Sequence, residues 1–179
     1  MKPDWPLETA RLVLRPYEEG DFDALHALYA QPEVARWLYY EAATPEDSRL
    51  RLARKIAGRE LTEENGLHAA VQLRDGTYVG DAVLFYGSVQ HRTLEVGFSF
   101  DPRHQGNGYA GEAARALIDW AFGQGIHRVI GRLEPRNIAS ARVLEKLGLR
   151  REALLVENEW VKGEWQSEVV YAVLDREWR

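Results

Sequence analysis

The stretch RHQGNGYAGEA, Arg103 to Ala113, sets Gly106, Gly108 and Gly111 at the spacing G-x-G-x-x-G. A glycine-rich turn can aim successive backbone N–H groups inward, and a helix that starts there adds its positive end, so such a stretch suits a pyrophosphate. The same spacing also serves a tight strand-to-helix turn with no ligand. Just upstream, LEVGFSF alternates Leu94, Val96, Phe98 and Phe100 with Glu95, Gly97 and Ser99. One face of that strand is large and apolar, and the other puts a carboxylate beside two small residues, which leaves room for a ligand. Glu95 is therefore a candidate acid–base group, with a solvated strand carboxylate as the alternative. Further on, Asn137 and Ser140 stand three apart at a helix start, which puts both on one side of its first turn. An N-cap would account for the asparagine by itself.

These residues need a frame. RLVLRPY, Arg11 to Tyr17, alternates and ends at proline, as a first strand would. Asp21 is placed to cap a helix that carries Phe22, Leu25, Leu28 and Tyr29 on one face and that Pro32 should end. Pro45 to Glu60 is a second helical run, with proline in its first turn and Gly58 near its end. LHAAVQL, the turn Asp75-Gly76 and TYVGDAVLFY form a hairpin, to which LEVGFSF adds a third strand. After the glycines, Ala114, Leu117, Ile118, Ala121 and Phe122 recur on one helix face, with Gly123 or Gly125 at its exit. RVIGRL is a strand, Asn137 to Leu147 a helix closed by Gly148, and LRREALLVE and SEVVYAVL a strand pair joined by NEWVKGEWQ.

Composition narrows the chemistry. The chain has 179 residues, 45% apolar and 28% charged, which fits one soluble domain spanning 1–179. It has no cysteine, which excludes disulfides, thiolate zinc sites and cysteine nucleophiles. His26, His68, His91, His104 and His127 show no i, i+4 pair, so no metal is expected. A net charge of -5 argues against a nucleic-acid surface and suits a cationic acceptor. MKPDWPLETAR lacks the apolar core of a signal peptide and no run approaches membrane-spanning length, so a cytoplasmic protein without membrane partners is expected.

A dinucleotide fold would need its first glycine directly after a strand and an acidic residue about 20 positions on. Glu134 nearly meets the second condition. The first fails, because DPRHQ intervenes, and the preceding strands form an antiparallel meander. The chain after Glu134 is also too short for a second set of βα units.

Read as Arg103-x-x-Gly106-x-Gly108 with Tyr109 and Ala110 following and Gln105 beside the first glycine, the loop resembles the pyrophosphate loop of the GCN5-related N-acetyltransferases (GNAT). LETARLVLRPYEEGD resembles the opening of the branch that acetylates N-termini of ribosomal proteins, and LEVGFSFDPRHQGNGYAGEA its central strand, loop and helix start. EPRNIASARVLEKLGLRREA is similar to the family's N-x-x-S helix start and leucine-glycine exit, and NEWVKGEWQSEVVYAVLDREW to the branch's ending. The pair Ile138-Ala139 differs from many relatives.

The resemblance implies a mixed α/β (α+β) fold, a twisted and largely antiparallel sheet flanked by helices, whose two central strands splay to admit acetyl-coenzyme A. It implies that Phe98, Ser99 and Phe100 run along the pantetheine arm. Arg103, His104, Gln105, Gly106, Asn107, Gly108, Tyr109 and Ala110 would then hold the pyrophosphate, with Asn137, Ala139 and Ser140 at the pantetheine. Ser140 would serve the departing sulfur. Glu159, in the place of a glutamate proposed as base in the ribosomal branch, rivals Glu95. The implied reaction is direct acetyl transfer to a primary amine, a protein N-terminus of ribosomal type. A small amine such as an aminoglycoside, polyamine or amino acid remains open, as does an acyl-CoA-binding domain without turnover. Family habit and the aromatic residues near the C-terminus suggest a homodimer.

Overall fold

The computed structural model describes residues 1–179. Eight strands form one sheet: β1 (Leu7–Glu8), β2 (Leu12–Arg15), β3 (Leu67–Leu73), β4 (Tyr78–Ser88), β5 (Thr93–Phe100), β6 (Arg128–Leu133), β7 (Arg150–Val161) and β8 (Glu164–Leu174). Their order is β1-β2-β3-β4-β5-β6-β8-β7. All neighbours are antiparallel except β5 and β6. Five helices cover it: α1 (Phe22–Tyr29), α2 (Pro32–Ala35), α3 (Pro45–Ala57), α4 (Tyr109–Gly123) and α5 (Ile138–Lys146). The expected fold is present, with a single parallel pair and no second mononucleotide half.

That parallel pair makes the opening. β5 and β6 are in register from Thr93↔Arg128 only as far as Glu95↔Ile130. Beyond it each keeps its outer neighbour, β4 to Gly80↔Phe100 and β8 to Leu133↔Val169, while the inner edges part. Strands that run parallel bring their C-terminal ends together, so the loop into α4 and the loop into α5 start on the same side of the gap.

The crossover helix α4 buries Ala113, Ala114, Leu117, Ile118 and Ala121, and its small residues let it lie close on the larger apolar cluster. It exits at Gly125, whose φ of +79° takes the left-handed position. On the other face a smaller cluster packs α1 and α3 through Leu25, Leu28, Tyr29 and Leu52. A buried ion pair anchors these helices to β4: Lys55 Nζ lies 2.7 Å from Asp81, which also accepts the Tyr17 and Tyr29 hydroxyls at 2.9 and 2.7 Å. Burial pushes the Asp81 carboxyl up, but Lys55 and the tyrosine bond outweigh it and hold it below the usual range.

Three local expectations are corrected. Asp21 stands at the start of α1 without capping it, because Arg15 takes its carboxylate in two bonds of 2.8 and 2.7 Å. Pro32 does not end α1; the chain breaks at Ala30 and Gln31, and Pro32 opens α2 at a position where its missing N–H costs nothing. NEWVKGEWQ is mostly strand, reduced to a two-residue turn at Lys162-Gly163 with φ of 50° and 83°. Positive φ at both positions fits the twist of the flanking strands.

Candidate active site

The loop at the end of β5 is held from beneath. Asp101, buried, accepts Arg103 N at 2.9 Å and pairs with the Arg103 guanidinium at 2.7 Å, while Gln105 Nε2 donates to Phe100 O at 3.0 Å and Asn107 Nδ2 to His104 O at 3.1 Å. Gly106 and Gly108 take φ of +79° and +82°, left-handed positions that turn the chain sharply ahead of α4. The amides of Gly106, Asn107, Gly108, Tyr109, Ala110 and Gly111 meet no acceptor in the chain, and the last three are the donors a helix start always leaves over. Six free N–H groups and the positive end of α4 are the donors that an anion cradle needs. Gly111 needs no special conformation: a side-chain carbon there would stay 3.9 Å from Val143, so the third glycine of the motif imposes nothing.

Arg11, a residue outside the motif, straps this loop. It donates to Asn107 O at 2.9 Å and to Glu112 at 2.7 Å, and its guanidinium lies 4.9 Å over the Tyr109 ring. Glu112 also accepts Thr9 Oγ1 at 2.6 Å, so the start of β2 is tied to the start of α4. Arg103 stays 77% exposed beside its Asp101 partner.

Along the gap, Glu95, Gly97 and Ser99 present the small, polar face of β5, as the alternation predicts, with Leu94, Val96 and Phe100 buried behind. Phe98 is half-buried. Arg132 of β6 donates to Glu95 at 2.8 Å and its Nη1 lies 3.8 Å from Glu168 of β8, a buried carboxylate. Burial pushes the Glu95 carboxyl up and Arg132 only partly opposes it, with Glu168 and Glu159 adding to the rise. Glu168 is likewise raised, by burial first. Partial burial, then the nearby Glu159 carboxylate, pushes the Tyr39 hydroxyl up to about 12. Glu159 lies inside β7 opposite Gln166, not in a loop after it. It shares one cavity wall with Tyr39, Arg132 and Glu168.

At the start of α5, Asn137 Oδ1 accepts Ser140 N at 3.2 Å, so the asparagine does cap the helix. Its amide nitrogen and the Ser140 hydroxyl make no bond within the chain, and Ala139 is exposed beside them. Glu134, the residue a dinucleotide fold would aim at a ribose, is taken by Arg136 at 2.8 Å.

The structure thus gathers Glu95 and Glu159 with Glu168 and Tyr39, and sets the glycine cradle and the Asn137–Ser140 turn at the two strand ends beside the gap. Arg132, Glu168, Tyr39 and Arg11 were not singled out by sequence. The available signal was a charge inside an apolar strand, Arg132 in RVIGRL and Glu168 in SEVVYAVL.

Residues 11–150 match the family model of the acetyltransferase (GNAT) domain. YnaD, an uncharacterized N-acetyltransferase of Bacillus subtilis strain 168, is 32% identical over 173 residues, covering 96% of this chain and 98% of its own. A GNAT-family acetyltransferase from Bacillus anthracis superposes with a TM-score of 0.87 at 30% identity, over 96% of this chain and 99% of that one. Two more distant structures share the fold. One is spermidine N-acetyltransferase from Vibrio cholerae in complex with CoA and spermine, with a TM-score of 0.80 at 20% identity, over 94% of this chain and 98% of that one. The other is ribosomal-protein-S5-alanine acetyltransferase from Vibrio fischeri, with a TM-score of 0.81 at 22% identity, over 98% and 100%.

Proposed function

The chain belongs to the GNAT acetyltransferase family, acyltransferases that draw on acetyl-coenzyme A, and from that premise we propose that it acetylates the N-terminal amine of a protein, of ribosomal type, by direct transfer. The observation that carries the donor half is the run of six unpaired amides from Gly106 to Gly111 at the mouth of the β5–β6 gap. In this reading the cradle and Arg103 hold the pyrophosphate, the open edge of β5 at Phe98 to Phe100 pairs with the pantetheine amides, and Asn137 Nδ2 meets the same arm from the other side.

A raised carboxylate in the gap takes a proton from the ammonium and frees its lone pair near neutral pH. The amine nitrogen bonds to the thioester carbon, the carbon–sulfur bond breaks, and the Ser140 hydroxyl donates its proton to the departing sulfur and regains one from the nitrogen, which leaves a neutral amide and the coenzyme A thiol. With Glu95, Glu159 and Glu168 around the gap and Arg132 as their cation, the acceptor end attracts ammonium groups. That charge also favours the second reading, a small polyamine acceptor. A homodimer belongs to the proposal. Its support is β7, an edge strand with Leu154, Leu155 and Val156 exposed, a surface that pairs with another strand unless it is covered.

The test is release of coenzyme A thiol from acetyl-coenzyme A with a panel of acceptors. Peptides with ribosomal-protein N-termini should be turned over and their Nα-acetylated products recovered. Turnover of spermidine alone would favour the polyamine reading, and binding without turnover on any amine would leave an acyl-CoA-binding domain.

A further inference from the structure

The cavity beside Glu159 and Glu168 has a neighbour. The two share Trp37, Glu134 and Gln166 as a common wall, and the outer one is lined also by Arg36, Arg136 and Glu164. Their charges differ. The inner hollow has Glu159 and Glu168 against Arg132 alone. In the outer hollow Arg136 is neutralised, held to Glu134 at 2.8 Å and Glu164 at 2.7 Å. Arg36 has no ion pair and no side-chain hydrogen bond; its guanidinium lies 4.8 Å over the Trp37 ring.

Arg36 is also held in place. Its backbone N–H closes α2 on Pro32 O, and Lys162, at the tip of the β7–β8 hairpin, donates to the neighbouring Ala35 O at 2.6 Å. A guanidinium stacked on an indole keeps its edge donors free in a flat fork that matches a carboxylate. The surroundings of the gap therefore pass from a net negative lining at Glu159 and Glu168 to a balanced one, in which Glu134 and Glu164 are both taken by Arg136 and Arg36 stays unpaired over Trp37.

Resting on the transferase reading above, we propose that the outer hollow is a subsite for an anionic group of the acceptor, read by Arg36. The preferred acceptor class is then an α-amine followed within a residue or two by a carboxylate, and a polyamine is disfavoured because its second ammonium would meet Arg36. Peptides and free amino acids both offer that chemistry, and the assay separates them.

The experiment measures kcat/KM for Nα transfer to Ser-Glu-Ala-Ala, Ser-Ala-Ala-Ala and Ser-Lys-Ala-Ala amides, free glutamate and spermidine, with the wild type, Arg36→Ala, Arg36→Lys and Arg36→Glu. The wild type should prefer the glutamate peptide to the lysine peptide by about ten-fold or more, carried by KM. Arg36→Glu should invert that order, Arg36→Ala should flatten it, and Arg36→Lys should restore part of it. Free glutamate above the peptides would assign the subsite to an amino acid. Thermal protection by coenzyme A should persist in all four proteins, showing that they fold and bind donor. The same peptide order in the wild type and Arg36→Glu, or spermidine above every anionic acceptor, would overturn the subsite while leaving the transferase. Donor protection without turnover of any amine would overturn both.

Discussion

At the scale of single residues the reaction turns on where charge develops. Ser140 has a free hydroxyl at the start of α5, while its backbone N–H is already held by Asn137. If that hydroxyl protonates the departing sulfur, Ser140→Ala lowers kcat by on the order of 100-fold and leaves coenzyme A affinity unchanged, because the bond strengthens only in the transition state. An unchanged kcat would make Ser140 a structural residue. The base is tested by pH. Burial raises both Glu95 and Glu168, so the acid limb of kcat/KM should lie above the ordinary carboxylate range, with activity growing as the base loses its proton. Glu95→Gln should remove that limb and cost about 100-fold or more, partly recovered at high pH where the amine deprotonates unaided. Glu168→Gln and Glu159→Gln remove negative neighbours that raise Glu95, so each should move the limb to lower pH. Loss of the limb in Glu168→Gln instead would transfer the role to that residue. The glycines, Glu95 and the Asn137–Ser140 pair were legible because each is a local pattern. Glu168 and Arg132 were not, since their meaning depends on which strands β6 and β8 neighbour, and nothing in a strand's own sequence states that.

At the scale of elements, alternation and helical spacing placed β3, β4, β5, α4 and α5, where one face is apolar and a turn residue marks the end. They failed at Lys162-Gly163, where a two-residue turn let the flanking strands run further than the apolar pattern suggested. They also gave no sign of the polar layer under α1 and α3, which draws residues from five separate segments. His68 of β3 belongs to that layer. It packs so tightly that a side-chain carbon on Gly58 would meet its ring at 2.5 Å, and its Nδ1 is buried without a partner. Burial, then the charge of Lys55, lowers it from 6.5 to about 4, against an opposing pull from Asp81. The folded state thus keeps His68 neutral where the unfolded chain takes up a proton. The stability this contributes is complete above the unfolded value of 6.5 and is lost as pH falls toward about 4. Denaturant titrations should show a loss on the order of 3 kcal/mol across that window, and His68→Gln should flatten it. An equal slope in the variant would assign the effect to other groups.

At the scale of the whole molecule, two proposed roles fall to the sheet: its parted centre would admit a ligand and its open β7 edge would offer a contact. If that edge meets a second copy, sedimentation should give a species of twice the chain mass, and Val156→Lys should give a monomer. A wild-type monomer at all concentrations would remove the dimer. The central claim concerns the other role, that the amides from Gly106 to Gly111 hold the pyrophosphate of coenzyme A. Gly108 sits at a φ of +82°, where a β-branched side chain is strained and would tilt the amides out of line. Gly111 has room for a methyl group. The direct measurement is the thermal shift of the wild type, Gly108→Val and Gly111→Ala with coenzyme A and with NAD. Coenzyme A at about 100 times its Kd should stabilise the wild type by about 2.7 kcal/mol, roughly 5–10 °C, and NAD should do nothing. Gly111→Ala should keep the shift and Gly108→Val should lose it. Protection by NAD alone, or an undiminished coenzyme A shift in Gly108→Val, would contradict the account.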